Sequence, residues 1–251
     1  MSQYFTEGGV GERYAAYRPK VHQVVLKWLH QHLPGRRFAR AVDVGCGTGD
    51  SMVPLLDLCD EVIGVDSSEE MLKLARQRSF SVVQGDYSLL TDLGKFDLIS
   101  ACMAFNWFEA ARAIAAYKAA SNPGAIWLIY GFAFAGHTTS EEFNQWFRES
   151  YLTQYPSPPR GPSIKVKPES DTEIRLVVAD KGWLPIEFNR ETLVGFLSTQ
   201  SNIEEAVRQG GIFSEICKGL MEQIADIDLS GPSKYVYNYE ILEYVGKHSG
   251  D

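Results

Sequence analysis

Three aspartates and three glycines fall where a nucleotide-containing ligand would need them. Asp43-Val44-Gly45-Cys46-Gly47-Thr48-Gly49 closes an apolar run, Phe38 to Val44, and precedes a helix-like segment, Asp50 to Leu58. Glycines at alternate positions of a strand-to-helix turn let backbone pass close under a ligand that side chains would hold off. The spacing Gly45-x-Gly47-x-Gly49 lacks the third glycine of the dinucleotide pattern, which argues away from a pyrophosphate. Asp66 ends the run Val62-Ile63-Gly64-Val65. A carboxylate there can accept both hydroxyls of a ribose, or serve only as a favourable charge at a helix N-terminus. Gly85-Asp86 ends the next apolar run, where a carboxylate can accept from an adenine amino group. Met71 and Tyr87 can give the ring apolar cover. Asp43 reads as a ligand contact or as a brace for the turn's own amides.

These residues need a scaffold that brings strand ends to one edge. Ala39–Val44, Glu61–Val65, Val82–Gln84, Phe96–Ala101 and Ala125–Tyr130 read as short apolar strands. Helical patterns at Ser68–Arg78 and Glu109–Ser121 alternate with them, and Asn122-Pro123-Gly124 is a turn before the fifth strand. Such alternation predicts an α/β fold with a mostly parallel sheet covered on both faces. Right-handed crossovers then gather Gly45–Gly49, Asp66, Asp86, Ala104–Phe108 and Gly131–His137 on one edge.

Around that core, residues 10–33 predict a helical lead-in stopped by Pro34-Gly35. Thr138–Tyr155 predicts a helix with Phe143, Trp146, Phe147 and Tyr151 on one stripe, followed by a proline-rich loop from Pro156 to Pro162. Thr192–Gln209 and Phe213–Asp226 predict further helices, and Pro185–Phe188 and Tyr235–Val245 predict strands. The expected organisation is one domain: an N-terminal lid over 1–37, a core over 38–131, a cap insertion over 132–182, and sheet completion over 183–251.

Composition narrows the partners. The chain has 251 residues, 45% hydrophobic, with net charge −8. That balance disfavours nucleic acid and anionic lipid as partners. No apolar run approaches the roughly 20 residues that span a bilayer, and Met1–Gly9 lacks the apolar core of a signal peptide. The cysteines, Cys46, Cys59, Cys102 and Cys217, form no CxxC pair, and the histidines are scattered. Buried free thiols, no metal site and a cytoplasmic location are the expectation. Oligomeric state is not readable.

The ordered set Asp43–Gly49, Val65-Asp66, Gly85-Asp86 and Phe96-Asp97-Leu98-Ile99 resembles the seven-strand, Rossmann-like S-adenosylmethionine-dependent methyltransferases. A narrower resemblance, to the subgroup holding trans-aconitate methyltransferase, lies in Tyr14-Ala15-Ala16-Tyr17-Arg18-Pro19, Phe105-Asn106-Trp107-Phe108 and Leu197-Ser198-Thr199-Gln200-Ser201. That subgroup more often carries His-Trp where Asn106-Trp107 stands. The resemblance implies a helical lid and cap on the Rossmann-like sheet. It implies S-adenosylmethionine held by Tyr14, Arg18, Asp43, Gly45, Cys46, Gly47, Gly49, Asp66, Ser67, Met71, Gly85, Asp86, Tyr87 and Ala104. It also implies methylation of a small molecule, with oxygen ahead of carbon or nitrogen. A catalytically silent cofactor-binding module and a protein or nucleic-acid methyltransferase are the alternatives. Phe105-Asn106-Trp107-Phe108 differs from the (Asn/Asp)-Pro-Pro-(Tyr/Phe) run of base amino-methylating enzymes.

Arg18 would pair a ligand carboxylate bidentately or make a surface salt bridge. Asn106 and Trp107 fall where the sulfonium would sit, and an indole face can stabilise a cation. His137 falls beyond the fifth strand, as a general base or an idle loop residue. Tyr235, Tyr237 and Tyr239 would line a pocket or pack a strand.

Overall fold

The computed structural model describes residues 9–158, 166 and 171–246. Seven strands form one sheet: β1 Phe38–Val44, β2 Cys59–Asp66, β3 Val82–Gln84, β4 Phe96–Cys102, β5 Ser121–His137, β6 Ile174–Ile186 and β7 Ser233–Tyr244. Their order is β3-β2-β1-β4-β5-β7-β6. Strands β1 to β5 run parallel, β7 is antiparallel to β5, and β6 is antiparallel to β7.

The central strands alternate their side chains into two cores, as a doubly covered sheet requires. Val42, Val44, Ile99, Ala101 and Trp127 pack on one face against Ala113 and Tyr117 of helix Ala110–Ala120. Ala41, Leu98, Ile126 and Leu128 pack on the other with Trp28 and Leu29 of helix Val24–His32. Trp28 stacks on Tyr239 with ring centroids 4.2 Å apart and planes 14° off parallel. Such a pair contributes about 1 kcal/mol beyond its burial. Tyr235 and Tyr239 are therefore core residues, and Tyr237 touches both the core and the cavity described below.

Several elements differ from the sequence expectation. The lead-in is two helices, Val10–Tyr17 and Val24–His32. Pro19 forces Arg18 into an extended conformation (ψ 132°), which ends the first helix. Asp50–Leu58 holds only a short helix at Val53–Leu56, and Thr192–Gln209 divides into Arg190–Ser198 and Ser201–Arg208. Strand β5 absorbs the expected turn at Asn122–Gly124 and continues seven residues past Tyr130. Strand β5 takes 132–137 and strand β6 takes 174–182 of the segment expected as a cap, so the sheet itself claims both of its ends. Among the described residues between them, the helical part is Glu141–Gln154, with a π-helical turn at Phe147–Tyr151. Expectations for residues 1–8, for 159–162 of the proline-rich loop and for His248 lie outside the described residues. Among the described residues no helix is long and apolar enough to cross a membrane, and no cluster of three His, Cys, Asp or Glu is placed to hold a metal.

Candidate functional site

The turn after β1 is built by backbone only glycine tolerates at two places. Gly45 has φ +82°, and a Cβ there would lie 2.3 Å from the Ala104 methyl. Gly47 has φ +53°, and a Cβ there would meet nothing within 4 Å, because it faces open space. Beneath the turn, Asp43 is fully buried and accepts a hydrogen bond from the Ser51 hydroxyl. It braces the loop from below, through a side chain rather than through the loop amides.

Asp66 closes β2 and faces the turn. Its Oδ2 accepts from the Gly47 amide at 2.8 Å and its Oδ1 from the Ser68 amide at 2.8 Å. Burial pushes its pKa up, and the amides of Ser68, Gly47 and Ser67 pull it back. A carboxylate has about four lone-pair sites, so acceptor capacity remains on both oxygens. Ser68 caps helix Glu69–Gln77 by accepting from the Met71 amide at 3.3 Å, which fixes Met71 beside the same space. Asp86 is held by one oxygen, which accepts from the Ser88 amide at 2.7 Å.

One cavity of about 960 Å³ joins these groups. Of the residues expected at the cofactor, Tyr14, Arg18, Gly45, Gly47, Asp66, Ser67, Met71, Gly85, Asp86 and Ala104 line it, as do Asn106 and Trp107. Asp43, Cys46, Gly49 and Tyr87 do not. Cys46 is buried, its sulfur packed toward Gly64, and Gly49 backs onto the Phe80 ring. Tyr87 is turned onto Phe108, with ring centroids 5.1 Å apart.

His137 is also outside the cavity. Seven further residues of strand carry it roughly 20 Å past Tyr130. There Nε2 donates to the Gly231 carbonyl at 2.9 Å, and Nδ1 accepts from the Ser140 amide at 3.0 Å. Both ring nitrogens are used, so the expectation of a general base at His137 is corrected: it pins the β5–β7 end.

Arg18 is the clearest departure from a surface charge. It is only 9% exposed. Its Nη2 donates to the Thr199 carbonyl at 2.9 Å, and its guanidinium lies 4.6 Å from the Tyr14 ring centroid. Its Nε is buried without a partner, as is the Nε2 of Gln200, and both residues line the cavity. No carboxylate of the described residues pairs with Arg18, so the surface salt bridge is excluded. A buried cation with open donors is costly unless an anion completes it. The Arg18 segment is tethered nearby, where Lys20 and Arg78 both pair with Asp50 at 2.8 Å.

Sequence reading missed the far end of the cavity. Lys181, Trp183, Lys234, Val236, Asn238 and Glu240 line it there, and Met103 sits near the middle with φ +54°. A non-glycine residue in that region is a strained position of the kind found at ligand sites. Lys181 falls in the segment expected as a cap, and the strand expected at Pro185–Phe188 starts too late to include it, whereas β6 begins at Ile174.

Asp43 supplies a pH test of the buried brace. Burial raises its pKa from 3.8 to about 6, against the opposing hydrogen bond from Ser51. The folded state therefore holds the proton more tightly than the unfolded chain. That advantage is complete below pH 4 and is lost as pH rises to about 6, which amounts to about 3 kcal/mol. Asp43→Asn should remove this dependence, so its stability relative to the native protein should improve by about that amount between pH 3.5 and 7. Urea unfolding across the range checks it; parallel curves for the two proteins would reject a proton on Asp43.

A methyltransferase domain model matches residues 41–124. Over almost the whole chain (96% of it and 94% of the relative), the protein is 21% identical to a candidate methyltransferase of Dictyostelium discoideum. It is 36% identical to trans-aconitate 2-methyltransferase of Deinococcus radiodurans over 32% of each chain. The chain thus spans about a third of the curated relatives it matches above 30% identity. Among solved structures, a candidate type II methyltransferase from Anaeromyxobacter dehalogenans superposes with a TM-score of 0.64. It is 20% identical and covers 92% of this chain and 100% of its own. That likeness concerns the fold.

Proposed function

We propose that this chain, whose residues 41–124 match a methyltransferase domain model, binds S-adenosylmethionine along the carboxyl edge of the sheet and methylates an oxygen of a small organic molecule. The observation that carries this reading is one continuous cavity. It runs from the Asp66 and Asp86 carboxylates, past Arg18, to Asn106-Trp107 and onto β5 and β7.

The residues fit the cofactor part by part. Asp66 has acceptor capacity for the two ribose hydroxyls, and Asp86 has a free oxygen for the adenine amino group. Met71 gives the ring apolar cover. Gly45 and Gly47 let the chain pass under the sugar. The unpartnered Nε of Arg18 suits the methionine carboxylate. When bound, the cofactor would supply a methyl group already activated by positive sulfur, for transfer to an acceptor oxygen with the S–C electron pair left on sulfur.

The chain's own work is alignment and exclusion of water. Asn106 and Trp107 border the reacting region, where the indole can accommodate positive charge. Tyr14 is a poor base partner, since burial pushes its pKa up to about 12. With His137 elsewhere, the site suits an oxygen that is already ionised or easily ionised, because such a nucleophile needs no base. His137→Ala should leave transfer within about twofold while costing about 2–3 kcal/mol of stability from its two lost buried partners. A large loss of turnover in the folded variant would restore His137 as a base.

Incubation with methyl-labelled cofactor and a panel of organic acids, phenols and alcohols tests the reaction. Label appearing in an ester or ether supports it. Cofactor binding without transfer to any acceptor favours a silent binding module.

A further inference from the structure

The far end of the cavity is a face of the sheet rather than a loop cluster, and its rows are set by strand register. Gly131 of β5, Asn238 of β7 and Lys181 of β6 lie side by side in one row. Ala133, Val236 and Trp183 form the next. In these two rows β5 contributes only a glycine and an alanine. A Cβ on Gly131 would come 3.6 Å from the Asn238 side-chain oxygen and 3.9 Å from Met103 Cγ, so Gly131 sits where the two ends of the cavity meet. On β6 the same rows carry an ammonium and an indole.

Trp183 is 48% exposed, and it lines the cavity. Lys234 lies 5.6 Å from its ring centroid on one side. The Lys181 ammonium makes no hydrogen bond or ion pair with the described residues. Glu240 lies one row deeper, beside Ile129, which leaves this end with one net positive charge in a chain whose overall charge is −8. Positive charge held against the global sign, beside an exposed ring and a flat floor of glycine and alanine, is a recognition surface for a flat anion.

We propose that the acceptor is a planar organic acid, aromatic or conjugated, lying on Gly131 and Ala133 with its ring against Trp183, an anchoring carboxylate between Lys181 and Lys234, and the oxygen to be methylated at its other end, toward Asn106-Trp107. This rests on the methyl-transfer reading and specifies its acceptor. Charge on the acid would be read by the lysines and planarity by the indole, so the two requirements are separable.

The test is equilibrium dialysis of the full chain with 2-naphthoate, 2-naphthamide and hexanoate, each with and without saturating S-adenosylhomocysteine. Naphthoate should bind at least about tenfold more tightly than either comparison ligand. Lys181→Gln with Lys234→Gln should erase the preference for naphthoate over naphthamide. Trp183→Leu should weaken both naphthyl ligands about tenfold and leave hexanoate unchanged. Homocysteine-cofactor affinity should be unaltered in all variants, which also certifies their fold. Equal binding of naphthoate and naphthamide, or lysine and tryptophan variants that bind as the native protein does, would overturn the acceptor class. Naphthoate binding that follows charge, with no binding of S-adenosylhomocysteine, would support this surface and sink the cofactor reading. Absence of both would sink both.

Discussion

Asp66→Ala should lower affinity for S-adenosylhomocysteine by at least about a hundredfold while the protein stays folded. Asp66 holds the Gly47 amide with one oxygen and the Ser68 amide with the other. It is thus both the expected ribose acceptor and the clasp between the glycine turn and the next helix. Hydrogen bonds to a charged group contribute about 1.5–3 kcal/mol each, so two lost hydroxyl contacts alone reach a hundredfold. Folding should suffer less, by about 1–2 kcal/mol, because removing a carboxylate disfavoured by burial offsets part of the lost amide bonds. Calorimetry gives the affinity and circular dichroism the fold. Retained affinity in the folded variant would remove Asp66 from the ligand.

The second large effect separates the cofactor's two halves. Arg18→Gln should weaken S-adenosylhomocysteine about thirtyfold or more, yet leave 5′-methylthioadenosine, which has no amino-acid carboxylate, within about twofold. Asp66→Ala, by contrast, should weaken both. Arg18 is buried, its Nε has no partner, and its guanidinium donates only to the uncharged Thr199 carbonyl and Tyr235 hydroxyl. Stability should change little or rise, since an unpaired buried cation is disfavoured in the free protein. Equal weakening of both ligands would make Arg18 a packing residue.

The two halves of the chain differ in how far local sequence foretold them. The first five strands follow from apolar runs punctuated by glycine, proline and helix caps, and Asp66 and Asp86 stand at strand ends that periodicity alone can locate. Arg18 was ambiguous because a charged residue before a proline looks the same buried or exposed; contacts with Thr199 and Phe196, nearly 180 residues away, decide it. The apolar run of β5 ends at Tyr130, which places His137 in a loop at the cavity edge. Pairing with β7 as far as Ser233 carries it on. Strand β6 was hardest: it is an edge strand, largely exposed, with Gly182 and Pro185 inside it. Edge positions tolerate both residues, so the signals that normally exclude a strand lose their force. The proposed acceptor surface lies on that strand, so no local pattern marks Lys181 and Trp183 as site residues.

A crystal grown with S-adenosylhomocysteine tests the central claim most directly. The ribose hydroxyls should lie on Asp66, the adenine beside Asp86 and Met71, and the carboxylate on Arg18, with the sulfur facing Asn106-Trp107. Finding the ligand absent at saturating concentration, or seated with its ribose away from Asp66, would contradict the account.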